Sequence, residues 1–177
     1  MGIDIPAGAA ILAPLNQTRS VMPAHFENVS MVEFDKGNRS PTVVIRILDT
    51  LKDKPDDLQF SENPYPEALD FYFRFDDTTD PDDAHAIQPE QARELFNTLS
   101  NCIRLGWNVL IHCVMGKCRS GAITHAAQAL GQFYGLPVTI TDHGAIPNVL
   151  VKSMILRCAY DQPPPEQKIP LSCPDGD

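Results

Sequence analysis

The residues best suited to chemistry lie together between positions 109 and 121, V-L-I-H-C-V-M-G-K-C-R-S-G. Val109, Leu110 and Ile111 form the short apolar run of a buried parallel strand, and Gly116 permits a backbone turn that a Cβ would hinder. A helical pattern begins beyond Arg119. A cysteine placed after a strand, before a loop whose amides converge on a helix N-terminus, sits where an anion is held well. Such surroundings lower a thiol pKa from about 8.5 into roughly the 3.5 to 7.5 range, so Cys113 is expected as a thiolate at neutral pH. Arg119 adds a permanent charge whose planar fork of donors fits two oxygens of a phosphate. The chemistry implied is attack of Cys113 on phosphorus held in that cradle.

His112, Cys113, Gly116, Arg119 and Ser120 match H-C-x-x-G-x-x-R-[S/T]. The stretch thus resembles the signature of cysteine-dependent protein tyrosine and dual-specificity phosphatases. The resemblance implies that Cys113 is the nucleophile of a phosphocysteine intermediate, and that Arg119 and the amides from Val114 through Met115, Gly116, Lys117 and Cys118 bind the phosphoryl oxygens. It further implies that His112 orients the loop and tunes the thiol, that the Ser120 hydroxyl stabilises the thiolate as it leaves, and that no metal or other cofactor is needed. Read without the resemblance, Cys113 is a buried small hydrophobe and Arg119 the partner of some carboxylate. A zinc site at Cys113, Cys118 and nearby histidines lacks the paired ligand spacings such sites use.

At 177 residues, 43% hydrophobic and 21% charged, the chain is long enough for one domain with a real core. The expected division is a catalytic domain over 1–161 and a Pro-rich, disordered tail over 162–177. A net charge of −9 without a basic stripe argues against nucleic acid and against an anionic membrane surface. The N-terminus carries Asp4 and prolines at 6 and 14 and has no basic region, so it does not read as a secretory signal, and Gly2 lacks a myristoylation context. No apolar run approaches about 18 residues. Five cysteines, one needed as a thiolate, favour a reducing cytoplasm.

The elements that must position these residues follow in order. Val29–Phe34 reads as a first, edge strand, and Thr42–Leu48 as a central one. Residues 49–66, with three prolines and five acidic residues, read as a loop. Leu69–Phe75 alternates Leu69, Phe71, Phe73 and Phe75 against Asp70, Tyr72 and Arg74, a strand with one face packed. A helix follows over Glu90–Leu105, opened by Pro89 and ended by Gly106, and a second runs from the cysteine loop to about Tyr134, closed by Gly135. Residues 138–146 are a loop or short strand. A last helix starts at Pro147 and docks through Val149, Leu150, Met154, Ile155, Leu156 and Cys158. The alternation of strand and helix indicates an α/β fold, a central mostly parallel sheet flanked by helices, with the resemblance implying the dual-specificity-phosphatase arrangement.

Expelling an alkoxide or phenolate needs a proton, which a carboxylic acid on a loop supplies. The resemblance places that acid after an upstream strand, and F-x-F-D-D at 73–77 fits: Asp77 first, then Asp76, then Asp80. Asp80, Asp82 and Asp83 read better as turn carboxylates. Crowding among the carboxylates is expected to raise their pKa values. Lys117 is either a second cation for further phosphates, as in phosphoinositide and inositol-phosphate members, or a side chain facing solvent or the acidic loop. Cys118 is either a resolving thiol for Cys113 or a small residue buried at the helix start. Cys102 and Cys158 read as buried, Cys173 as a tail thiol, and His25, His85, His125 and His143 as structural or surface residues. F-x-F-D-D together with A-I-P-N at 145–148 resembles small bacterial tyrosine-phosphatase-like proteins. The expected partner is a phosphorylated protein or small phosphorylated molecule. A sulfurtransferase and a phosphopeptide-binding pseudophosphatase are the competing readings, and neither substrate nor oligomeric state is encoded legibly.

Overall fold

The computed structural model of the chain describes residues 22–50 and 63–161. The tail at 162–177, Cys173 and most of the 49–66 segment lie outside them. Five strands form one all-parallel sheet: β1 Ala24–Ser30, β2 Val43–Leu48, β3 Leu69–Arg74, β4 Asn108–Cys113 and β5 Val138–Thr141, in the order β3-β2-β4-β1-β5. The helices are α1 Met31–Phe34, α2 Pro89–Leu105, α3 Arg119–Tyr134 and α4 Val149–Tyr160. No helix among the described residues is long and apolar enough to cross a membrane.

Strand alternation divides the core in two. Val43, Ile45 and Ile47 of β2, with Val109, Ile111 and Cys113 of β4, meet Leu95, Phe96 and Leu99 of α2 and the buried faces of α3 and α4. Val44, Leu110 and Val29 point the other way, into a smaller cluster closed by Phe34 and Tyr65. β4 lies between β1 and β2. The chain leaves β1 through α1 on the smaller-core face and leaves β4 through α3 on the larger-core face. The gap between two such departures, at the carboxyl ends of the strands, is where open α/β sheets receive ligands.

Two sequence expectations need correction, and one left open, a loop or short strand at 138–146, is decided for the strand. The first strand is not Val29–Phe34 at an edge. It is Ala24–Ser30 in the sheet interior, paired with both β4 and β5. Ser30 ends it as an N-cap whose hydroxyl accepts from the Glu33 amide, starting α1; S-x-x-E is a helix-start signature that the apolar run V-S-M-V-E-F obscured. The segment 138–146 contains the edge strand β5. In α4, Val149 is exposed, and the buried stripe is Val151, Ile155, Cys158 and Ala159; Asn148 caps the helix, so it begins two residues after Pro147.

α4 packs on both α2 and α3, so its stripe ties the two longer helices together. Ile155 is fully buried. Ile155→Ala is therefore expected to cost about 2 to 5 kcal/mol, read as a lowered urea midpoint with unchanged slope.

Candidate active site

β4 delivers Cys113 to the carboxyl end of the sheet, and the loop 114–118 leads directly into α3. Three loop carbonyls are fastened to the scaffold. Val114 O accepts from the Met31 amide at 3.3 Å, Gly116 O from Asn28 Nδ2 at 2.7 Å, and Cys118 O from the amides of Ala122 at 2.9 Å and Asn148 at 3.1 Å. Among the described residues the amides of Met115 to Ser120 donate to no protein acceptor. Carbonyls turned outward and amides left without partners, at the start of a 16-residue helix with no acidic residue in its first turn, make an anion cradle.

Gly116 makes this geometry possible. Its φ is +69°, and a Cβ there would lie 2.3 Å from Ser30 N and 2.4 Å from Val29 C. Any side chain would push the loop away from β1. Cys113 is buried, with Sγ 3.2 Å from Ser120 Oγ, so the hydroxyl is in place to stabilise a thiolate. Arg119 is buried at the helix start. Its Nη1 donates to Phe75 O at 2.8 Å and pairs with Asp49 Oδ1 at 2.5 Å, while Nε is buried without a protein partner. One edge of the guanidinium is thus anchored and the Nε edge is left to accept an oxyanion.

Asp77 comes to the same place. Its Oδ1 accepts from Asn148 Nδ2 at 2.7 Å, and its carboxylate bonds the Cys118 thiol. That hydrogen bond, with burial, pushes the Cys118 thiol up to about 11, so Cys118 stays protonated at neutral pH. Cys118 itself is partly exposed, unlike the fully buried residue that its place at the helix start suggested. Asp76 is committed elsewhere, its Oδ1 accepting from Thr50 N at 2.7 Å and Thr50 Oγ1 at 2.6 Å. Asp80 and Asp83 accept from the amides of Asp82 and His85, as turn residues do.

The other expected residues fall as follows. Val114, Met115 and Lys117 are exposed at the loop, and Lys117 enters no ion pair among the described residues. His112 stands apart from the cradle. Alternation along β4 turns its ring to the opposite face from Cys113, against Phe34 at 4.2 Å between ring centroids, with neither nitrogen bonded. Burial, and then the nearby Arg46 charge, push it down to about 4. Cys102 and Cys158 are buried. His125 pairs with Asp142, His143 with Glu27, and His25 bonds Thr139, partners distant in sequence that spacing could not supply. No group of three His, Cys, Asp or Glu among the described residues is placed to hold a metal.

Sequence reasoning missed Asp49, Asn28 and Asn148. Asp49 follows β2 directly, at the carboxyl end of a strand beside β4, and that position was a usable signal. Asn28 carried none. No protein-family model matches the chain, and no curated protein or solved structure is significantly similar to it.

A histidine held neutral by burial loses stability in acid. The unfolded chain binds its proton near pH 6.5 and the folded one only near pH 4, so stability rises with pH across that interval, by about 3 kcal/mol in all. Denaturant titrations at pH 4 and pH 7 should show a larger difference for wild type than for His112→Phe, which offers Phe34 an apolar ring with nothing to titrate.

Proposed function

We propose that the protein is a cysteine-dependent phosphatase of the dual-specificity type, hydrolysing phosphate monoesters through a phosphocysteine. The observation that carries this reading is the unpartnered amide loop between Cys113 and Arg119, with the Ser120 hydroxyl on the thiol. A sulfane-sulfur acceptor has no need of a buried guanidinium whose Nε has no partner among the described residues. In the first step the Cys113 thiolate attacks phosphorus, the phosphorus–oxygen bond to the substrate breaks, and protonated Asp77 gives its proton to the departing oxygen. The loop amides and Arg119 take the charge on the equatorial oxygens. In the second step Asp77 removes a proton from water as it attacks phosphorus, the sulfur–phosphorus bond breaks, and Ser120 donates to the returning thiolate. Inorganic phosphate leaves, and no metal enters either step. A nucleophilic thiolate suits a reducing compartment such as the cytoplasm.

The rim bears on the substrate. Met115 and Val114 on the loop, and Ile146 and Val149 beside Asn148, are exposed apolar side chains. Asp77 bonds Asn148, so acidic residues of 76–83 come close to Ile146 and Val149, and Lys117 is the only basic side chain of the loop besides Arg119. Such a rim favours a monoester of an apolar or aromatic group, as in a phosphorylated protein, over a multiply phosphorylated inositol.

The test is hydrolysis of aryl phosphates without added metal. Wild type should turn over and be inhibited by vanadate, Cys113→Ser should lose activity by at least about 10³-fold, and Asp77→Asn should lower kcat about 10²-fold or more. Undiminished activity in Cys113→Ser would overturn the mechanism. Vanadate binding without turnover would instead identify a phosphate-binding pseudophosphatase. Faster turnover of inositol polyphosphates than of phosphotyrosine peptides would overturn the reading of the rim.

A further inference from the structure

We infer that Asn148 is the positioning residue for the acid: its side chain holds the Asp77 carboxyl over the cradle and couples the acid loop to the nucleophile loop. The inference rests on the phosphatase reading and deepens it. Asn148 is 5% exposed, and every polar group of it that could act is used. Oδ1 accepts from the Val151 amide at 3.1 Å, capping α4. Nδ2 donates to Asp77 Oδ1 at 2.7 Å and to Thr78 O at 2.9 Å. The backbone amide donates to Cys118 O at 3.1 Å, where the cradle meets α3. One residue therefore ties together the acid loop, the cradle and the start of α4.

Capping alone does not require this residue. Serine, threonine or aspartate caps a helix as well as asparagine, but only the amide adds two donors on its other side. Those donors suit a general acid in both protonation states. With Oδ1 accepting from Nδ2, a proton on Asp77 is favoured on Oδ2. A lysine in this place would instead hold Asp77 ionised. Gly121 adds to the constraint: a Cβ there would lie 2.5 Å from Ala145 Cβ, so the absent side chain lets the 145–148 segment approach α3 closely.

Asn148→Ser separates the two roles, since it retains the cap and removes the donors. Its melting temperature and vanadate affinity should remain near those of wild type. With KM little changed, kcat should fall about 10-fold or more on phenyl phosphate, whose leaving group needs the proton, and hardly at all on 2,4-dinitrophenyl phosphate, whose leaving group does not. In an Asp77→Asn background the substitution should add nothing. An equal loss on both substrates, a loss additive with Asp77→Asn, or no loss on either would overturn the inference.

A second measurement needs no turnover. In a Cys113→Ser, Cys173→Ser background, the alkylation rate of Cys118 against pH reports whether Asp77 still rests on that thiol. Asn148→Ser should shift the profile to lower pH, as Asp77→Ala should. An unmoved profile would overturn the inference even if the chain proves to be a binding module, whereas a shifted profile with no wild-type turnover would sink only the phosphatase reading.

Discussion

The approach of Gly116 to the end of β1 is the constraint on which the rest of the site depends. A backbone at φ +69° lying against the Val29–Ser30 peptide bond admits no side chain. It lets Asn28, inside the sheet, reach the Gly116 carbonyl and turn it away from the loop's interior. With the carbonyls of 114, 116 and 118 spent on the scaffold, the intervening amides have no protein acceptor among the described residues. Unpartnered donors are costly, at about 1 to 3 kcal/mol each where water is excluded, and on the phosphatase reading an anion would satisfy them.

That arrangement requires β1 to be an interior strand. Its partners are β4 and β5, and the first of these carries Cys113 opposite Ser30. The loop is thus braced from behind by a strand that is itself braced on both sides. The sheet's other face works differently. There Arg46, 1% exposed, lies 4.8 Å from the Tyr72 ring centroid and 5.3 Å from that of Phe34, donates to Tyr72 OH, and faces Asp70. The Tyr72 hydroxyl bonds Asp70, which pushes the phenol up. A buried charge pair of this kind adds little net stability, because desolvation offsets the attraction; it restricts which registers of β2 and β3 are tolerable. His112 belongs to this polar face, and its neutrality keeps a second positive charge from being buried beside Arg46.

How much of this could be seen in the chain depended on where the partners lie in sequence. The strand–loop–helix around Cys113 was legible because all its parts are local: an apolar run, a glycine, a helix start. α2 and α3 were legible through their apolar spacing and the glycines at 106 and 135, both of which adopt φ near +65°. β1 was misplaced because His25 and Glu27 interrupt its apolar residues. Those two positions face the polar side of the sheet, where they meet Thr139 and Arg39, so the strand alternates but does not look buried. F-x-F-D-D pointed to Asp76 and Asp77 together, yet the difference in their surroundings was not readable. It turns on Thr50 and Asn148, 26 and 71 residues away. The resemblance implied that His112 orients the loop and tunes the thiol, but strand alternation puts it on the opposite face from Cys113, against Phe34.

On the phosphatase reading, the ion pair at Arg119 bears on how an acidic protein would hold an anion. With a net charge of −9, the long-range field opposes a phosphate, and Asp49 removes much of the formal charge that Arg119 would add. Affinity must then come from short-range donors: loop amides, a helix N-terminus, and the free edge of a guanidinium whose other edge is already fixed. Such donors need no reorganisation when the oxyanion arrives, because the backbone and the Phe75 carbonyl have set them beforehand. They also act over only a few ångströms. An exposed basic patch would attract every polyanion nearby, whereas, on that reading, this arrangement would reward a single phosphoryl group seated at the bottom of the loop. Asp49 thereby sharpens the site: it trades attraction at a distance for orientation at contact.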